Sequence, residues 1–90
     1  MCNNSHWTEQ TVLEQLKSNP YFEELTKEYE GKKSACYVIG GILVIVFNTV
    51  GGHAEVFLGS YNPDADIQSA QEFARIARAI VQREINKQMK

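Results

Sequence analysis

Hydrophobic positions along the chain follow two different steps. Toward the C-terminus, Ile67, Ala70, Ala74, Ala77, Val81, Ile85 and Met89 recur every three or four residues, widened by Phe73 and Ile80. This spacing predicts a long amphipathic helix, with Arg75, Gln82 and Arg83 on its opposite side. Asn62-Pro63-Asp64 breaks the chain before it, and Asp64 or Asp66 can cap it. The small alanines would let the helix lie close to a sheet.

The run from Tyr37 to Val50 is apolar at nearly every position and has no helical step. Gly40-Gly41 interrupts it and Gly51-Gly52 follows it, and glycine pairs accept the positive φ angles of tight hairpin turns. Strands are predicted near 33–39, 42–50 and 53–61, as a three-stranded antiparallel meander. The alternative is one long strand bulged at Gly40-Gly41, followed by a single hairpin.

The N-terminal third reads as two short helices. Thr8 can cap the first, which runs to about Lys17 with Val12, Leu13 and Leu16 as its stripe. Trp7 before the cap and Val12 beyond it have the spacing of a hydrophobic staple. Asn19 caps a second helix with Pro20 in its first position, where Phe22, Leu25 and Tyr29 share a side and Gly31 is a stop. The predicted class is α+β in the order ααβββα: helices, meander, long C-terminal helix.

Alternate strand residues face opposite sides, so two-residue turns fix the faces. With Gly40-Gly41 as a turn, Val38 pairs with Leu43 and Cys36 with Ile45; with Gly51-Gly52, Phe47 pairs with Val56 and Ile45 with Leu58. One face then carries Ser34, Cys36, Val38, Leu43, Ile45, Phe47, Ala54, Val56 and Leu58, a core face for the C-terminal helix. The other carries Tyr37, Ile39, Ile42, Val44 and Val46 with Phe57 and Tyr61, and polar groups near Lys33, Asn48, His53 and Glu55. Either the N-terminal helices cover this second face, or it recognises a partner through Tyr37, His53, Glu55, Phe57 and Tyr61. That surface requires Tyr37 and Phe57 on the same side of the sheet.

Ninety residues make one domain, 1–90, with residues 1–6 expected to be flexible. A domain this small gains from burial by association, which favours a homodimer through the sheet face. Net charge is −2, which favours neither nucleic acid nor an anionic membrane surface as partner. Glu9, Glu14, Glu23, Glu24, Glu28 and Glu30 make the N-terminal third acidic, whereas the last helix ends with Arg75, Arg78, Arg83, Lys87 and Lys90. The apolar run is too short and too interrupted by glycine for a transmembrane helix. With a polar N-terminus and two unpaired cysteines, the chain reads as cytoplasmic.

No catalytic constellation emerges. Cys36, His53 and Glu55 have suitable chemistry, but the predicted register puts Cys36 in the core and the other two on the opposite face. His53 and Glu55 alone are too few for a metal, so neither metal nor cofactor is expected. The glycine pairs lack the spacing of a phosphate loop. The expected function is therefore non-catalytic: a small inhibitor or adaptor, comparable in size and charge to immunity proteins and phage inhibitors. It would bind a protein target through the sheet face and through Glu23, Glu24, Glu28 and Glu30. The alternative is an oligomer that binds a nucleotide, with Arg75, Arg78 or His53 on phosphates and Tyr37 or Tyr61 on the base.

Overall fold

The computed structural model describes residues 7–27, 33–49, 51–59 and 63–88. Its elements are α1 (Glu9–Lys17), α2 (Phe22–Lys27), β1 (Ser34–Ile39), β2 (Ile42–Thr49), β3 (His53–Leu58) and α3 (Ile67–Gln88). This is the α+β order ααβββα that the hydrophobic pattern predicts. The strands form one antiparallel sheet in the order β1-β2-β3, so the bulged-strand alternative falls away.

Local chemistry sets the element ends. Thr8 and Thr11 cap α1 reciprocally: each backbone amide donates to the other's hydroxyl, at 2.9 Å from Thr8 and 3.1 Å from Thr11. Asn19 accepts from the Tyr21 amide at 2.9 Å and donates its side-chain amide to the Cys36 carbonyl at 3.0 Å, which ties the turn before α2 to β1. Asp66 caps α3, its carboxylate accepting from the Ser69 amide at 3.1 Å.

The β1–β2 register is the predicted one, with Val38 opposite Leu43 and Cys36 opposite Ile45. Gly40 and Gly41 turn at φ of 61° and 83°. The Gly40 carbonyl accepts from the Asp66 amide at 2.8 Å, and a Cβ on Gly40 would stand 2.8 Å from the Asp66 carbonyl oxygen. The hairpin therefore rests directly on the start of α3, with no room for a side chain.

The β2–β3 register differs from the predicted one. Thr49 pairs with His53, Phe47 with Glu55 and Ile45 with Phe57. Three positions, 50–52, thus separate the strands instead of two, with Gly51 and Gly52 at φ of 97° and 82°. One extra residue slips β3 by one step, and with a side-chain period of two every residue of β3 changes face relative to β1 and β2.

Burial shows which face is covered. Ala35, Tyr37, Ile39, Ile42, Val44, Val46, Asn48 and Ala54 are buried, with Val56 and Leu58 partly buried beside them. The helices all lie on this side: α3 packs on the strands, and Val12, Leu16, Phe22 and Leu25 join the same core. The expectation that α3 would cover the Cys36–Leu43 face is thus overturned; the N-terminal helices do cover the Tyr37–Val46 face, one of the two alternatives, but α3 lies there with them. Both faces of β1 and β2 are apolar, so hydrophobicity could not choose between them. The polar members of the covered face have partners waiting: the Tyr37 hydroxyl donates to the Leu16 carbonyl at 2.7 Å, and the Asn48 side-chain amide donates to the Leu25 carbonyl at 2.8 Å.

Phe73 is the centre of this core. The Trp7 ring meets it edge-on with centroids 5.0 Å apart, and Tyr37 lies 5.8 Å away on the strand side. Trp7 also donates its indole N–H to the Ser69 hydroxyl at 2.9 Å.

Burial pushes the Tyr37 hydroxyl pKa well above its ordinary value, with the neighbouring Cys36 adding to the rise. An unfolded tyrosine ionises near pH 10. Above that pH the folded chain binds more protons than the unfolded one, so this group's stability contribution falls as pH rises. Tyr37→Phe is expected to cost about 1 kcal/mol at neutral pH and to lose stability less steeply than the wild type above pH ~10. Urea titrations of both proteins across that range check this.

Candidate docking surface

Three helices on one side leave the other side of the sheet uncovered by any described element. The pairings order this open face into rows. Val38 and Leu43 form the row nearest the Gly40-Gly41 turn. Cys36, Ile45 and Phe57 come next, then Ser34, Phe47 and Glu55, and finally Thr49 with His53. Six of these ten residues are apolar. Val38 is 70% exposed, Phe57 58% and Leu43 41%, while Ile45 and Phe47 in the middle strand are half-buried by their neighbours. The polar residues gather at the far end.

Two expectations are corrected here. Tyr37 and Phe57 lie on opposite faces, because of the one-residue slip in β3, so the recognition surface built on both does not exist as a unit. Tyr37 is buried and structural. Cys36 is exposed, not a core residue, because its face is the uncovered one. His53, Glu55 and Phe57 do lie on the exposed face. Tyr61, Glu28 and Glu30 fall outside the described residues, whereas Glu23 and Glu24 are exposed in the first turn of α2.

Cys36 now shares a face with His53 and Glu55, yet they do not form a dyad or triad. Cys36 is on β1 and His53 on β3, with β2 between them, and strands are spaced about 4.8 Å apart. His53 is also displaced by two rows. Such a separation is beyond hydrogen-bond reach. Glu55 instead faces the Arg78 guanidinium at 4.0 Å, a solvent-exposed pair. Among the described residues, no three His, Cys, Asp or Glu side chains are grouped so as to hold a metal ion.

The two sheet edges are unequal. Along β3, Gln82 of α3 accepts from the Ala54 amide at 2.9 Å and donates to the Gly52 carbonyl at 2.8 Å. Arg78 donates to the Ala54 carbonyl at 3.0 Å. Helix side chains thus occupy backbone groups that would otherwise invite another strand. Arg78, a candidate phosphate contact in the sequence, is held at this edge; Arg75 is exposed one turn earlier on α3. The β1 edge borders an open cleft of about 440 Å³ lined by Asn19, Tyr21, Glu24, Lys33, Ser34 and Cys36. Of the described candidate nucleotide contacts, Arg75, Arg78, His53 and Tyr37, none lines that cleft. Part of the charge asymmetry is also used within the chain, as Arg83 pairs with Glu9 at 3.2 Å.

Sequence reasoning missed Val38, Leu43 and Cys36 as surface residues, and no local signal marks them, since their parity alone suits a core. Gln82 was readable only as a polar flank of α3. Searches against family models, curated proteins and solved structures found no match.

The exposed position of Cys36 has a direct consequence. In a Cys2→Ser background at low protein concentration, Cys36 should react with a thiol reagent in the native state as fast as after denaturation. A rate at least tenfold slower in the native protein would place this face under cover.

Proposed function

We propose that this protein is a non-catalytic protein-binding module, of the inhibitor or adaptor kind, and that the open sheet face is its docking surface. One observation carries the reading: a sheet face with an apolar centre of Cys36, Val38, Leu43, Ile45, Phe47 and Phe57 that no element of the described chain covers. Monomeric proteins rarely expose a contiguous apolar patch beyond about 300–600 Å² without using it. Eight residues of β2 and three strands make a plate of about 26 Å by 14 Å, which reaches that range.

The composition of the patch supports the same reading. A large exposed aromatic, Phe57, stands beside branched aliphatics, with Ser34, Thr49, His53 and Glu55 at its polar end. Interfaces are built in this way, with desolvated anchors inside and polar groups outside. Self-association through the face belongs to the same proposal. The exposed Glu23 and Glu24 lie toward the β1 side, where Glu24 shares a cleft with Cys36, and would favour a target with cationic groups beside its apolar site.

Phe57→Glu tests the proposal, since Phe57 is already exposed and its replacement leaves the core intact. With the wild type and the variant as baits in the native host, a partner retained by the first should be lost by the second. The expected loss is about 2 kcal/mol or more, roughly thirtyfold in Kd. Equal retention of every partner by both baits would refute this docking surface.

A further inference from the structure

We propose that the occupant of the open face in the isolated protein is a second copy of the chain, related by a two-fold axis running along β2. This rests on the docking-surface reading and names a partner for it. The argument comes from the order of the rows. Two sheets packed face to face align their strands to within about 30°, and a two-fold contact presents the same patch from both sides.

An axis along β2 lays β2 on β2 and β1 of one copy over β3 of the other, with the rows in step. Large groups then meet small ones. Phe57 comes over the partner's Cys36 in the second row. Val38, the most exposed large hydrophobic among the described residues, comes over the partner's Gly59, which continues the first row by donating its amide to the Leu43 carbonyl at 2.7 Å. Ile45 and Phe47 meet their own copies on the axis. Glu55 comes over the partner's Ser34, and the polar Thr49 and His53 rows stay together at one rim.

The other two-fold arrangement has its axis across the strands, and it fails on the same rows. With the rows reversed end for end, it would lay Leu43 over the partner's Thr49, Gly59 over the partner's His53, and Phe57 against the partner's Glu55. Burying those polar groups against apolar ones without partners is unfavourable. Growth at the β3 edge is blocked by Gln82 and Arg78, which leaves the face as the larger apolar surface to be satisfied.

Size sets the strength. The plate offers on the order of 500 Å² of accessible surface per copy, so the dimer buries about 1,000 Å², at the lower bound for a specific interface. Self-association in the micromolar range follows, weak enough for a tighter target to displace the second copy.

Sedimentation equilibrium of the full chain across the micromolar range tests this. The wild type should shift from monomer to dimer with concentration, while Phe57→Glu and Val38→Lys stay monomeric with unchanged circular dichroism. In the Cys2→Ser background, Cys36 modification should slow as the dimer fills, because Phe57 of the second copy covers it. Ile45→Cys, in a chain with Cys2 and Cys36 both changed to Ser, should be joined to its own copy by a bifunctional thiol reagent long enough to span the roughly 10 Å between facing sheets. A wild type that stays monomeric throughout, or a Phe57→Glu protein that still dimerises, overturns the proposal. A monomeric wild type whose bait still loses a partner on Phe57→Glu overturns the dimer alone and leaves the docking surface standing.

Discussion

Phe73 is the contact on which the architecture depends. It projects from the N-terminal third of α3 and meets Trp7 from the N-terminal segment and Tyr37 from β1. The ring thereby joins three distant stretches of chain at a single buried point. Tyr37 extends the connection, since its hydroxyl reaches the Leu16 carbonyl at the end of α1. Once these aromatics converge, α1, α2 and α3 must all lie on the side of the sheet to which Tyr37 points. Among the described residues, no helix is left to cover the other side. The open face is therefore a direct result of how the core is closed.

Much of this was legible in the residues. The three-to-four step of α3, the Thr8 and Asp66 caps and the Gly40-Gly41 turn are local features with short-range causes, and each appears where the chain chemistry places it. The β1–β2 register followed from the same turn. The failure came at Gly51-Gly52, where the strands join across three positions rather than two. A pair of glycines signals a turn but does not count its residues. The choice of covered face was also not local, because Val38, Leu43 and Ile45 are as apolar as Ile39, Ile42 and Val44. Tertiary partners decided it: a carbonyl for Tyr37, another for Asn48, and the Asp66 amide for Gly40. Of the candidate site, Phe57, His53 and Glu55 lie on β3 as the strand pattern predicts, whereas Tyr37 is buried on the opposite face.

The sheet divides the labour between its two sides. The covered side contains the groups whose hydrogen bonds are satisfied internally, and little there is free to meet another molecule. The exposed side has side chains of graded size, from Gly59 and Cys36 to Phe57, without a cluster of ionisable groups at its centre.

The Gln82 bridge to β3 gives α3 a second duty. The helix that shields the core face also occupies the Ala54 and Gly52 backbone groups of the outer strand. If the C-terminal half of α3 peels away, greasy residues and an unsatisfied strand margin are bared in the same event. Aggregation of this protein should then begin with fraying of that helix, well before the sheet itself comes apart.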